Sequence, residues 1–228
     1  MDWIVKQSWL TLAAWVIYLA WAFERWWMGD PNHALVALSA FGAILSPVLI
    51  EKFLRVALPE GFIAGFAVFV LATIGLGELG DYYVRFAWWD WLMHAIAGFW
   101  LAVACSLGAR TLEPLRARTL AVFAFLGAVA IGGLWEIFEY GVDNAFDVRT
   151  QGIGVADTMH DLMSDTAGAV LGAVAVWFDA RGRALGPVSA VMRAFEARNA
   201  WLYDEQALTG SERPLPRDVD ARGLPAGE

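Results

Sequence analysis

The sequence predicts an all-α protein, a polytopic membrane helix bundle with six transmembrane helices. Hydrophobic residues make up 59% of the 228 residues and charged residues only 18%, which is too apolar for a soluble fold of this length. The apolar runs are also too long and continuous for the strands of a membrane β-barrel. Helices are the other structure that satisfies the backbone within lipid, so we expect each run to be a helix.

Six apolar runs follow one another, separated by polar, glycine and proline residues. The first lacks the basic start and the small-residue cleavage site of a secretory signal peptide, so we expect it to be a retained span. The expected spans are residues 9–23, 33–50, 62–80, 89–109, 119–142 and 158–178. Most of them approach the roughly 20 residues that cross a bilayer. We therefore assign residues 1–180 to a six-span transmembrane domain.

The composition changes after the sixth run. Residues 181–203 carry apolar side chains at helical spacing with arginines between them, which is typical of an amphipathic helix on a membrane surface. Residues 204–228 are polar and contain prolines, which predicts a disordered C-terminal tail.

Basic residues near the span ends predict the orientation, because short cytoplasmic loops retain lysine and arginine. One side carries Lys6, Lys52, Arg55, Arg110, Arg116, Arg118, Arg181 and Arg183, and the other carries Arg25, Arg85 and Arg149. We therefore expect a multi-pass protein of the bacterial inner (plasma) membrane with both termini cytoplasmic. Tryptophans gather at the ends assigned to the periplasm, where indole prefers the interface.

The net charge of -8 arises mainly in one region. Nine of the 24 acids lie at or near span ends on the periplasmic side: Glu78, Asp81, Asp90, Glu136, Glu139, Asp143, Asp157, Asp161 and Asp165. The other 15 nearly balance the 16 lysines and arginines. The acid surplus therefore marks a candidate site, and without a basic stripe no nucleic-acid partner is expected.

Several of these acids lie one or two turns inside apolar spans, together with two histidines. A charge at the centre of a spanning helix costs about 2.5 to 3.5 kcal/mol, so this group must be neutralised. The candidate metal ligands are Asp90, His94, Glu136, Glu139, His160, Asp161 and Asp165, and the candidate catalytic groups are His94, His160 and Glu136. Below them, Gly98, Gly168 and Gly172 would let neighbouring helices come close.

Simpler explanations exist for other polar residues. Asp157 or Thr158 could cap the sixth helix, Asp143 could be solvated in the loop, and Glu78 and Asp81 could simply close the third span. Cys105 is the only cysteine, so an internal disulfide or a thiolate cluster is impossible, and we expect it to pack within its span.

Clustered carboxylates repel one another unless some are protonated or a multivalent ion lies between them. Oxygen ligands with some imidazole suit Mg, Mn, Fe or Zn. The chain lacks the Glu-x-x-His pattern on two helices that di-iron bundles use, which disfavours a di-iron oxidase. A divalent ion here could activate water and hold a phosphate or carbonyl oxygen at the level of the lipid headgroups. A membrane lipid or lipid-linked molecule is the expected substrate.

Three stretches, Asp90-Trp91-x-x-His94-x-x-x-Gly98, Glu136-x-x-Glu139 and residues 157–172, resemble the YjdF-like family of uncharacterised bacterial inner-membrane proteins. They are more distantly similar to VanZ-like membrane proteins. The resemblance covers roughly residues 60–180. The family pattern has an asparagine before its Thr and Gly, whereas this chain has Ser164 and Asp165 there. The resemblance implies a six-span fold and no settled activity.

Three functions are compatible with these features. A metal-dependent hydrolase or transferase acting on lipid is favoured, because the inner halves of the predicted fourth to sixth spans hold no acids that would continue a transport path. An ion- or proton-coupled transporter is the second possibility. A structural or partner protein, whose polar cluster only fixes helix packing, is the third.

Overall fold

A computed structural model describes residues 8–111, 115–146, 154–184 and 186–202, and within these ranges the chain forms helices and turns without a strand. The helices are α1 (Trp9–Trp27), α2 (Pro31–Leu54), α3 (Glu60–Val70), α4 (Tyr82–Arg85), α5 (Trp88–Arg110), α6 (Ala117–Phe146), α7 (Val155–Asp179) and α8 (Gly186–Arg198). Helix α3 continues directly as a π-helix, Leu71–Glu78, and a short 3₁₀ turn, Ala200–Leu202, follows α8.

Five of these helical segments are long and apolar enough to cross a membrane, which confirms the predicted membrane helix bundle. They are Pro31–Leu54, Glu60–Glu78, Trp88–Arg110, Ala117–Ala145 and Val155–Asp179. Each covers one of the expected spans to within a few residues. The expected first span coincides with α1, which has 19 residues but is not among these five. The number of six spans and the cytoplasmic termini therefore stay predictions.

The chain divides into two compact units, one of Met1–Tyr82 with Arg193–Glu228 and one of Tyr83–Met192. In the first unit α1, α2 and α3 pack against one another. Their core consists largely of alanines and small aliphatic residues around the buried Tyr18 and Trp15. Small side chains at these positions let the helices approach closely without a water-filled gap.

A proline lies inside α2 without ending it. Pro47 has no N–H, so the carbonyl oxygen of Ala43 loses the partner that it would have in a regular helix. The Ser46 hydroxyl donates to that oxygen at 2.7 Å. An unpaired carbonyl is costly in lipid, and this bond removes the cost.

The π-helical segment at the end of α3 is built around a tyrosine of α1. The Tyr18 hydroxyl is fully buried and donates to the carbonyl oxygen of Val70 at 3.0 Å, where the π-helix begins. A Cβ at Gly75 would lie 3.2 Å from this hydroxyl. Glycine therefore gives the hydroxyl room beside the widened turn.

The described residues after position 192 fold onto the loop between α2 and α3. The side chain of Asn199 is fully buried; it accepts from the Ala57 N–H at 2.7 Å and donates to the Ala57 carbonyl at 2.8 Å. Arg198 also pairs with Glu60 at 3.3 Å. An amide side chain used in this way replaces the backbone partners that a loop lacks.

Helix α8 lies within the stretch expected to form an amphipathic helix at the membrane surface. Four of its apolar side chains, Val188, Val191, Met192 and Phe195, are buried by protein. Its placement at the cytoplasmic surface stays a prediction. Residues 203–228, which include the predicted disordered tail, lie outside the described residues.

The second unit is a bundle of α5, α6 and α7, in which α7 packs against both other helices. Helices α5 and α7 cross at three glycines. A Cβ at Gly98 would collide with the carbonyl oxygen of Asp165, and one at Gly168 with that of Ala95. At Gly172 a Cβ would lie 2.6 Å from the Phe99 carbonyl oxygen. The two backbones are therefore in direct contact, as the small-residue face of the sixth span predicted.

Candidate metal centre

The polar cluster of the second unit reaches from one end of the bundle into its interior. His94 and Asp161 each lie six residues into their helices, about 9 Å along the axis at 1.5 Å per residue. Asp165 in α7 and Glu136 in α6 lie ten residues from the ends at Val155 and Phe146, about 15 Å along the axis. The cluster therefore extends from one end toward the middle of the bundle.

His94 is the centre of the cluster. Its Nδ1 lies 3.3 Å from Asp165 Oδ2. Its Nε2 lies 3.7 Å from Asp90 Oδ1 and 3.8 Å from Asp161 Oδ1. One imidazole thus faces three carboxylates from two helices.

The two aspartates of α7 are almost completely buried, each with 4% of its surface exposed. The Oδ1 atom of Asp161 has no hydrogen-bond partner. In the described part of the chain, neither of these aspartates forms an ion pair with a lysine or arginine. Burying an acceptor in this way costs free energy unless a partner is supplied.

Glu136 is the most deeply buried acid of the group, with 3% of its surface exposed. The side chain of Thr158 interacts with this carboxylate, but neither carboxylate oxygen has a partner at hydrogen-bonding geometry. A buried carboxyl in this state must be protonated or must face a cation that the protein itself does not provide.

Two predicted site residues lie beside the cluster. Glu139 is half-buried and interacts with Glu136 and Trp135. His160 packs its ring against Trp91 at a centroid distance of 5.3 Å. The structure thus brings Asp90, Asp161 and Asp165 together around the imidazole of His94. Glu136 is buried close enough to interact with His94, and His160 lies against an aromatic ring.

Four other acids, for which simpler explanations were expected, are Asp157, Asp143, Glu78 and Asp81. Helix α7 has Gly154 as its N-cap and Asp157 in its first turn, so the expectation that Asp157 caps the helix is wrong. Asp143 is half-buried near the end of α6. Glu78 ends the π-helix and Asp81 follows it with a left-handed φ of 58°, both in the first unit. Arg149, counted on the periplasmic side, lies outside the described residues.

Gly132 of α6 is a site residue that the sequence analysis missed. A Cβ there would lie 2.6 Å from Asp165 Oδ2, so glycine provides the space that the carboxylate occupies. The available signal was position, since Gly132 lies one helical turn before Glu136 and hence on the same face.

A family model described as "Predicted membrane protein (DUF2238)" matches residues 8–182. The chain belongs to the DUF2238 family of predicted membrane proteins. No curated protein and no solved structure shows a match. The DUF2238 assignment agrees with the uncharacterised membrane family that the resemblance implied, and the match includes all the residues of the cluster.

The donor set of this DUF2238 protein fits a divalent cation. One ligand atom each from Asp90, His94 and Asp161 can be chosen so that all lie within 4.8 Å of one another. Two carboxylate oxygens and one imidazole nitrogen form a set that suits Mn, Fe or Zn, and Mg with added water. The buried Oδ1 of Asp161, which lacks a partner, is an acceptor that a bound cation would satisfy.

Proposed function

We propose that this DUF2238 protein is a metal-dependent membrane enzyme acting on a lipid or lipid-linked substrate at the periplasmic face of the bacterial inner membrane. The observation that carries the proposal is the grouping of Asp90, His94 and Asp161 within 4.8 Å, together with the buried Glu136 whose oxygens lack partners. A cluster of acids alone would not suffice, because exposed acids are common without a ligand. The buried, unpartnered acceptors require either a proton or a positive charge from outside the chain, and the adjacent three-residue set favours a bound cation.

The residues have separate roles in this proposal. Asp90, His94 and Asp161 hold the ion, which is Mg, Mn, Fe or Zn. A bound divalent ion supplies Lewis acidity and a nucleophilic water at neutral pH. Glu136 lies apart from the three-residue set and close enough to interact with His94, and it holds or transfers a proton as general acid or base.

Lipid as the substrate class is supported by the surroundings of the cluster. Trp91, His160, Met163 and Ser164 line a shallow groove between α5 and α7, beside the residues that we assign to the metal. A groove that combines aromatic and apolar walls with a hydroxyl and an imidazole suits an amphipathic molecule. His160 and Ser164 are the residues of this groove that can contact a polar headgroup.

Elemental analysis of the detergent-purified protein tests the metal site. We expect a stoichiometric divalent metal in the wild type and its loss in the Glu136→Gln, Asp161→Asn double variant. Asp157→Asn is the matched control, since Asp157 lies one turn before Asp161 on α7 and outside the three-residue set, and it should retain metal. A wild-type protein that binds no metal when purified without chelator would overturn the proposal.

Six spans, as the YjdF-like resemblance implies, with cytoplasmic termini and a periplasmic site complete the proposal. They rest on the distribution of basic residues and tryptophans. Replacing Cys105 with Ala and Arg149 with Cys gives a single thiol on the proposed periplasmic side. Labelling of intact cells by a membrane-impermeant maleimide is expected, and labelling only after the membrane is opened would reverse the orientation.

An ion- or proton-coupled transporter is the second candidate, and the depth of two residues favours it. Glu136 and Asp165 lie about 15 Å along their helices, near the level where transporters place their ion sites. Under this function Glu136→Gln would abolish an ion-driven flux in proteoliposomes while the protein still inserts. Metal-dependent turnover without flux would exclude it.

A further inference from the structure

We infer that Asp165 positions the His94 ring for metal binding instead of binding the metal itself, and that Gly132 provides the space for the Asp165 carboxylate. The sequence grouped Asp165 with the other acids as a ligand. The role of Asp165 differs from that of Asp90 and Asp161 because they face different nitrogens of His94. The inference rests on the proposed metal site, and part of its test does not require the metal.

The His94 ring has two different neighbourhoods. Nδ1 faces only Asp165 among the ion-pairing acids, at 3.3 Å, whereas Nε2 faces both Asp90 and Asp161. An imidazole binds a metal through one nitrogen and donates a hydrogen bond from the other, usually to a carboxylate. The Nδ1–H therefore donates to Asp165, and Nε2 is left to bind the metal beside Asp90 and Asp161.

Helix α6 contacts the Asp165 carboxylate through Gly132. The Asp165 carboxylate fills the place that a side chain at position 132 would occupy, because a Cβ there would lie 2.6 Å from Oδ2. Glycine at the next position has no such neighbour, since a Cβ at Gly133 would meet nothing within 4 Å. The two adjacent glycines thus give a positioning residue and a matched control on one helix.

The first measurement uses metal-free protein labelled with ¹⁵N-histidine, in which only three histidines contribute signals. We expect His94 to carry a hydrogen-bonded proton on Nδ1 in the wild type. Asp165→Ala removes the acceptor, so the Nδ1 proton signal is lost. Asp165→Asn keeps an oxygen acceptor at the same place and restores it. An unchanged His94 signal in Asp165→Ala would overturn the inference.

The second measurement uses Co²⁺ as an optical probe of the site. A positioning residue changes affinity by about 10–100-fold without entering the coordination sphere. We therefore expect Asp165→Ala and Gly132→Ala to weaken Co²⁺ binding by about this factor and to keep the wild-type Co²⁺ absorption bands when saturated. Gly133→Ala should match the wild type in both respects. Asp161→Asn, which removes a ligand, should change the bands or abolish binding.

The two measurements separate failure of the inference from failure of the proposed function. Altered Co²⁺ bands in saturated Asp165→Ala would make Asp165 a ligand and overturn the positioning role while keeping the metal site. A wild type that binds neither Co²⁺ nor a native metal would overturn the proposed function. The Nδ1 signal in Asp165→Ala and Asp165→Asn would then still decide whether Asp165 orients the ring.

Discussion

The two ends of the bundle formed by α5, α6 and α7 differ in the numbers of acidic and basic side chains that face one another. At the end where α5 and α7 begin, Asp90, Asp161 and Asp165 share the single imidazole of His94. At the other end, Arg110 of α5 pairs with Asp179 of α7 at 3.3 Å. The arginines that follow α7 are also accommodated there, with Arg181 over the Trp177 ring at 5.0 Å and Arg183 over the Phe178 ring at 5.6 Å.

The difference separates a balanced ion pair from a buried cluster with a surplus of acids. The Arg110–Asp179 pair joins one positive group to one negative group with 13% and 12% of the side chains exposed, so its two charges balance each other within the protein. The cluster around His94 has more negative groups than positive ones, and some of its oxygens have no partner. A balanced pair needs nothing further, whereas an unbalanced buried group requires a proton or a cation.

The largest effect on stability is expected where α5 and α7 cross, between the two ends of the bundle. Gly98→Ala would place a methyl group against the Asp165 carbonyl oxygen, and a backbone atom cannot rotate away as a side chain can. We expect a loss of about 3 kcal/mol of unfolding free energy, at the upper end for overpacking. Thermal unfolding in detergent measures it.

The control for this variant is Gly108→Ala on the same helix, where a Cβ would meet nothing within 4 Å. It should leave the unfolding temperature unchanged or raise it slightly, because alanine favours a helix more than glycine does. Equal stability of both variants would contradict the direct backbone contact of α5 with α7.

The next effect is expected at the balanced end. Asp179→Asn removes the charge that faces Arg110, and a hydrogen bond to a charged partner contributes about 1.5–3 kcal/mol. We therefore expect the unfolding free energy to fall by about 2 kcal/mol, whether or not a chelator is present. A double-mutant cycle with Arg110→Gln isolates the pair, and additive effects of the two changes would show that it contributes nothing.

An Asp→Asn substitution in the cluster around His94 should instead raise the unfolding free energy of the metal-free protein. Asp161→Asn removes one of several like charges near His94, and two charges 4 Å apart repel by about 1 kcal/mol even in water. In the presence of chelator we expect the variant to unfold at a higher temperature than the wild type. Destabilisation with chelator would show that Asp161 is held by His94 alone and that no charge surplus exists.

Added metal should reverse this order. A ligand at 100 times its Kd stabilises the folded wild type by about 2.7 kcal/mol, and Asp161→Asn would gain little. The Asp179→Asn variant should respond to metal as the wild type does. This difference in response between the two aspartates is the direct measure of the contrast between the two ends.

Most of the helices could be predicted because hydrophobic length decides them. Helix α2 begins earlier than its apolar run since Asp30 caps it and Pro31 occupies its first turn, both recognisable start signals. The π-helix Leu71–Glu78 could not be predicted. It depends on the Tyr18 hydroxyl, which bonds to the Val70 carbonyl from another helix.

The sequence predicted that acids and histidines gather on neighbouring helices, but not how they are arranged in the candidate site. His160 and Asp161 are adjacent in sequence and point about 100° apart on a helix, so only packing decides that His160 meets Trp91 and Asp161 meets His94. The same limit applies to α8, because an apolar face that packs on protein and one that enters lipid have the same residue pattern. Gly132 was missed because a glycine's role depends on the side chain opposite.

The smallest effect concerns a second acid–imidazole pair, formed by Asp30, just before the span Pro31–Leu54, and His33 in its first turn. Asp30 accepts from the backbone N–H of His33 at 3.3 Å, and its Oδ2 lies 2.7 Å from the His33 ring. That backbone bond, with smaller contributions from the His33 ring and Arg25, lowers the pKa of the Asp30 carboxyl below its ordinary value. A lowered pKa stabilises the fold above the unfolded value of about 4, and the gain is lost as pH falls through the folded pKa.

Asp30→Asn keeps a good capping side chain and removes the charge. We expect its unfolding temperature to fall slightly behind the wild type at pH 7 and to approach it as the pH is lowered below about 4, in thermal unfolding followed by circular dichroism. The exposed pair is matched one acid to one imidazole, so metal should not alter this difference. If metal changes the difference in unfolding temperature between Asp30→Asn and the wild type, an exposed acid–imidazole pair also responds to cations. Burial would then not explain the response expected at His94.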